Sequence, residues 1–259
     1  MAAASGFAVP SIRNEFSGAD LGDGRRTRRL VSLAELLADS PSASFPEAAG
    51  SEAALEATYR FFGNDAVHPD DILHPHLEQS ARRASVYDAV LVLHDTSSFE
   101  FPGENTRTGL GPSRGKGQGV FGHVSLAVAP GEERSPLGVL ALSTIVRGKV
   151  PKQKRLDWAA RKSDSNSESK RWLVGVEKSE TQLSGRTSAI HIMDREGDSY
   201  ALLFSLIAGS HRFVIRLNHN RRTVDVGEQS MKLTDAMNVA PVFCERTVPV
   251  SVGVNVVVA

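Results

Sequence analysis

The chain has 259 residues, with 30 lysines and arginines against 30 aspartates and glutamates, so its formal net charge is zero; 41% of its residues are hydrophobic. That length suits one large domain or two small ones, and the charge balance excludes a uniformly basic nucleic-acid coat while leaving local phosphate-binding clusters open. The single cysteine, Cys244, excludes an internal disulfide and any multi-cysteine zinc site, and it suits a reducing cytoplasm.

The amino-terminal stretch MAAASGFAVPSIRNEF has no basic n-region and no long apolar core, so it does not read as a signal peptide. No apolar run approaches the roughly 20 residues that cross a bilayer. In GDGRRTRRLVSLAELLADSPS, Arg25, Arg26, Arg28 and Arg29 precede apolar residues at helical spacing, which predicts an amphipathic helix with a basic start. SPSASFPEAAG breaks it with two prolines and a glycine. SEAALEATYRFFGND predicts a second helix, with Ser51 as its N-cap and Gly63 as its C-cap. HPDDILHPHLEQSARRAS supplies another.

From Ala89 the texture changes to strands and turns. AVLVLHD, GVFGHVSLAVAP and GVLALSTIVRG predict three strands, with Pro130 and Gly131 turning the last two into a meander. A polar connector then becomes a helix around Trp172. AIHIMDREGDS predicts a fourth strand, SYALLFSLIAGS a helix and HRFVIRLNHNR a fifth strand. The order β-β-β-α-β-α-β matches the ribonuclease-H-like layout, in which strands one and four lie parallel at the centre. The alternating TVPVSVGVNVVVA reads as one further strand. Because the sequence stops on this β-branched run, the expectation is that the chain is a fragment of a longer one.

In this layout Asp95 and Asp194 stand at the carboxyl ends of strands one and four. Two carboxylates forced together repel unless a cation intervenes, and Mg²⁺ takes such oxygens while keeping positions open for phosphate and water. Each aspartate alone is equally well read as a turn or helix cap. For Arg25, Arg26, Arg28 and Arg29 the readings are bidentate phosphate contact or a solvated basic helix end. Tyr59 and Arg60 fit DNA contact, with core packing as the alternative for the tyrosine. The glycine-rich TRTGLGPSRGKGQG is not a P-loop, since no strand–GxxxxGK[ST]–helix pattern surrounds it, and is expected to form a mobile hairpin loop. The eight histidines are scattered, and His74 and His76 stand two residues apart, off a shared helix face, so no zinc site is expected.

HDTSSFEF and MDREGDSYALL resemble the first and second catalytic motifs of bacterial cut-and-paste DDE transposases of the insertion-sequence-4 group (Tn-five-like). The resemblance extends over GDGRRTRRLVSLAELLA, EATYRFFGND, SESKRWLVGVEKS and HRFVIRLNHNRR, in the same order at similar spacings. It implies a mixed α/β (α+β) protein with a helical DNA-binding domain at 1–75, a ribonuclease-H-like catalytic core at 76–220, and the start of a β-rich insertion at 221–259. It implies that Asp95 and Asp194 are catalytic and bind Mg²⁺ or Mn²⁺, and that Arg216, His219, Arg221 and Arg222 line the DNA path. The implied partners are double-stranded DNA, as transposon ends and target, and a second copy or a full-length transposase; the implied place is the cytoplasm. The family's third ligand is a glutamate within a tyrosine-arginine-glutamate-lysine signature, and no such signature follows Tyr200. Glu245 sits in a strand-like stretch and does not replace it. The expectation is therefore a metal-dependent DNA transposase whose third carboxylate is missing here. That leaves this chain catalytically defective, with a non-catalytic DNA-binding remnant or inhibitor of a full-length transposase as the alternative.

Overall fold

The computed structural model describes residues 11–101, 103, 107–113, 117–132, 134–148, 170–218, 222–242, 246–248 and 256–258. They fall into two compact units, Met1–Ile215 and Arg216–Ala259. No helix among the described residues is long and apolar enough to cross a membrane.

The first unit begins with helices. α1 spans Ile12–Phe16 and α2 spans Gly24–Asp39, opened by Asp23, whose carboxylate accepts from the Arg25 amide at 2.8 Å. α4 spans Glu52–Phe62 between the expected caps: the Ser51 hydroxyl accepts from the Ala54 amide, and Gly63 ends the helix. The stretch expected to be a simple break instead forms a short helix, α3, Phe45–Ala49. Ser44 and Glu47 form a reciprocal capping box there, and Gly50 closes it at a φ of 64°, so local caps offset the low helix propensity. Ala19, Leu21, Leu30, Leu33 and Phe61 make the small core of this layer. α5, Pro69–Ala84, runs unbroken across residue 75 and carries Pro75 inside it. It is tied to α1 by a buried ion pair, in which Arg83 donates to the Glu15 carboxylate while His76 Nδ1 lies 2.8 Å from the same group.

The sheet follows. β1 (Ala89–Phe101) pairs antiparallel with β3 (Gln118–Val128), which pairs antiparallel with β4 (Pro136–Ile145) and with the two-residue β2 (Gly111–Pro112). After α6 (Lys170–Leu183), β5 (Ser188–Met193) joins β1 in parallel. A short 3₁₀ turn at Arg195–Gly197 and α7 (Tyr200–Ala208) lead to β6 (Arg212–Ile215), parallel to β5. The path is β2-β3-β1-β5-β6, with β4 beside β3. This mixed α+β arrangement, a helical region followed by a sheet with a parallel central pair, is the one expected and is consistent with a ribonuclease-H-like core.

Alternation along β1 explains how the sheet sits. Val90, Val92 and His94 are buried on one face, while Leu93 and Asp95 are exposed on the other. The buried face, with Leu137 and Leu140 of β4 beside it, packs against Ala81 and Ala84 of α5 and Leu183 of α6. Full burial of each such valine or leucine contributes about 1.5–3 kcal/mol. Trp172, Val176, Met193, Leu202 and Leu206 extend that core under α6 and α7.

One expectation about β1 is corrected: the strand does not end at Asp95 but continues to Phe101, because β3 remains paired to it throughout. Asp95 is exposed, since its position places it on the open face. The fifth strand is shorter than HRFVIRLNHNR suggests and ends at Ile215.

In the second unit β7 (Thr223–Val226) and β8 (Gln229–Lys232) form a hairpin whose turn uses Gly227 at a φ of 63°. α8 is Leu233–Val239. β9 (Arg246–Val248) and β10 (Val256–Val258) pair antiparallel, so the run that reads as one strand at the chain end contributes to two.

Candidate nucleic-acid interface and carboxylate pair

α2 starts with an unusual charge arrangement. Its first turn carries no acidic residue and holds Arg25 and Arg26, with Arg28 and Arg29 just beyond. Cations at a helix amino terminus oppose the helix dipole. The Asp23 cap offsets part of this, and its carboxyl is held below the usual range, first by the Arg25 backbone hydrogen bond and then by the neighbouring guanidinium groups. What the fold leaves uncompensated, an anion can neutralise, because free helix N–H groups and arginines both attract phosphate.

Geometry supports that use. Arg25, Arg26 and Arg29 of α2 and Arg60 of α4 line one cavity of about 340 Å³, together with Phe61 and Asn64. Arg26 is steadied by donating through Nη1 to the Leu21 carbonyl at 2.8 Å. Arg60 has only a loose contact with Glu56, at 3.7 Å on the exposed surface. Arg28 turns away and lines a separate cavity with Arg13. Tyr59 is exposed beside Arg60 and is not part of the arginine cavity.

Asp95 and Asp194 come together in sequence register. The parallel β1–β5 ladder ends at His94 opposite Met193; Asp95 is the next residue of β1 and Asp194 the first residue after β5. Adjacent strands lie about 4.8 Å apart. Both aspartates are exposed. Asp194 also caps the 3₁₀ turn, accepting from the Glu196 amide at 2.8 Å, so the cap reading of this residue holds beside any other role. Two exposed carboxylates suit a hard divalent cation, which needs oxygen ligands and open positions. Among the described residues, no third carboxylate or imidazole converges on this pair.

Arg216 is exposed and Arg222 half-buried in the second unit; His219 and Arg221 lie outside the described residues, as does Glu245. Of the glycine-rich loop, only Arg107–Ser113 and Gly117–Gly119 are described; there Gly111 and Pro112 of β2 pair with Gly119 and Gln118 of β3.

Sequence spacing hides one constellation entirely. Beneath α6, histidines from different strands form a buried seam. Ser125 Oγ lies 3.0 Å from His94 Nδ1, His94 Nε2 lies 2.9 Å from His191 Nδ1, and His191 Nε2 lies 3.1 Å from Glu180 Oε1. His211 Nδ1 reaches the same Glu180 oxygen at 3.3 Å. His123 stacks on His94 and hydrogen-bonds Thr96 at 2.9 Å. Burial disfavours the charged rings, pushing His94 down to about 3 and His123 to about 4; burial also lowers His191, against the pull of Glu180. The helix fits over the seam because residue 175 is glycine. A Cβ there would stand 2.9–3.0 Å from His123 Nε2, His94 Nδ1 and Ser125 Oγ. The available sequence signal was period two: His94 and His191 occupy the same buried phase as Val92 and Ala189.

The arginine cavity lies wholly inside a segment that matches a known family. Residues 11–67 match the family described as transposase DNA-binding, and this match supports a transposase that binds DNA.

Proposed function

We propose that this chain is a DDE-type cut-and-paste transposase of the insertion-sequence-4 group, gripping transposon-end DNA with Arg25, Arg26, Arg29 and Arg60. Asp95 and Asp194 would hold a divalent ion, Mg²⁺ or Mn²⁺. The observation that carries this reading is the pairing of these aspartates as the next residues of the β1–β5 register, in a chain with an arginine-lined cavity at its amino-terminal helices. A bound divalent ion supplies activation of an attacking water or hydroxyl and charge stabilisation at phosphorus.

The chain's own residues do the rest. The four arginines neutralise phosphates and release counterions, so affinity should fall steeply with salt. Phosphate contacts of this kind fix register and orientation without reading bases. The Asp194 cap orients its carboxylate through the Glu196 amide. The proposed partners are transposon-end and target duplexes, and a second copy of the chain or a full-length transposase.

One observation favours a second reading, DNA binding without cleavage: no third ligand joins Asp95 and Asp194 among the described residues. Strand cleavage of a labelled transposon end with Mn²⁺, comparing the chain with Asp95→Ala, separates the two. Cleavage lost in the variant supports the phosphoryl-transfer reading. A metal-independent gel shift without cleavage supports the second. Absence of both would overturn the proposal.

A further inference from the structure

We infer that Glu180, His191 and His211 form a structural zinc site, separate from the Asp95–Asp194 pair. The three residues come from α6, β5 and the turn between α7 and β6. One ligand atom from each lies within 4.8 Å of the others. The Glu180 oxygen is 3.1 Å from His191 Nε2 and 3.3 Å from His211 Nδ1. A tetrahedral zinc ion with bonds of about 2.0–2.1 Å separates its ligands by about 3.3 Å, which both Glu180–histidine separations already match; the two imidazole nitrogens, within 4.8 Å of each other, need only close on the ion. Imidazole nitrogens with one carboxylate suit zinc; Mg²⁺ prefers an all-oxygen shell.

The surroundings are built to present these donors. His191 is fully buried, and its second nitrogen is held by His94, whose other nitrogen is held by Ser125. Outer partners of this kind orient a ligating imidazole. The chain is satisfied in either direction. Without metal, Ser125 donates to His94, His94 to His191, and His191 Nε2–H to Glu180. With metal, each ring takes its other tautomer: His191 Nδ1–H donates to His94, and His94 Nδ1–H donates to Ser125. The Ser125 hydroxyl then turns to the Gly175 carbonyl at 3.4 Å. His191 can thus offer its Nε2 lone pair with no net loss of a proton. His211 is seated by Gly209, where a Cβ would stand 2.6 Å from the ring. Glu180 and His211 remain partly exposed, which leaves a route for the ion and room for water as a fourth ligand.

A zinc ion here would clamp α6 to β5 and to the turn before β6, and stabilise the folded chain by mass action. The test is zinc titration of the full chain against a chromophoric chelator, with thermal unfolding beside it. The expected result is one tightly bound Zn²⁺, a raised melting temperature, and no competition from excess Mg²⁺. Binding should persist in Asp95→Ala/Asp194→Ala, which empties the other carboxylate pair. It should weaken by more than about tenfold in His211→Ala and in the near-isosteric Glu180→Gln. Co²⁺ should give the intense visible absorption of four-coordinate geometry, absent in those two variants. Zinc affinity unchanged in Glu180→Gln, or lost only when Asp95 and Asp194 are replaced, would overturn the inference.

Discussion

In the amino-terminal helices, arginines stand around an open cavity with few internal partners, whereas under α6 Ser125, His94 and His191 of the sheet are buried, neutral and paired in a chain. The arginines cost the fold stability, because they crowd a helix amino terminus. The histidines cost stability only if a partner is lost or a proton added. Surface charge without internal compensation points to a ligand, while compensated buried polarity points to architecture. The Glu15–Arg83–His76 cluster belongs with the second kind, although it lies where the helical layer meets the sheet.

The largest effect is expected where buried charge is left alone. Glu15→Ala strands Arg83 and should cost about 3–5 kcal/mol in urea unfolding. A loss under about 1 kcal/mol would mean that water already compensates this pair, and the contrast with the arginine cavity would collapse. Gly175→Ala should cost about 1–3 kcal/mol, because its methyl group overpacks His94, His123 and Ser125. An unchanged midpoint would show that α6 can lift off the seam freely.

Acid sharpens the comparison next. His123 is held neutral by burial, with Arg171 adding to the effect and Asp95 opposing it, and its value is about 4 against an unfolded value near 6.5. His94 stacks on the same ring. Between these two pH values the unfolded chain binds a proton that the folded chain refuses. Stability is therefore complete above about pH 6.5 and falls as pH drops toward 4, by up to about 1.4 kcal/mol per pH unit for this residue. His123→Gln should flatten that slope in chelator-treated protein; an equal slope would assign the acid loss elsewhere.

DNA affinity separates the arginines with the smallest energies. Arg29→Ala and Arg60→Ala should each weaken a gel-shift complex and reduce the salt slope by about 1. Neither should change unfolding by more than about 0.5 kcal/mol. Arg28→Ala should do least, since Arg28 faces the other cavity. An Arg28 effect as large as that of Arg29 would place the DNA across both faces of α2.

Much of this was open to local reading. Ser51 and Gly63 bracket α4 because capping chemistry needs only neighbouring residues. The basic start of α2 and the alternation of β1 are likewise local patterns of period 3.6 and 2. Short capped turns such as α3 are harder, because two prolines mask a capping box. The length of β1 beyond Asp95 was not local either: its exposed DTSSFEF half is a strand because β3 pairs with it.

Read alone, the sequence tells which segments carry helix or strand periodicity, where charge gathers on α2, and that Asp95 and Asp194 come next after two strand-like apolar runs. Tertiary structure alone decided which arginines share a cavity, that Asp95 faces outward, and that Glu180, His191 and His211 converge. The reason is physical. Caps and amphipathic faces arise between residues a few positions apart, whereas a seam of side chains from β1, β3, β5 and α6 exists only once the sheet register and the helix above it bring them within hydrogen-bond distance.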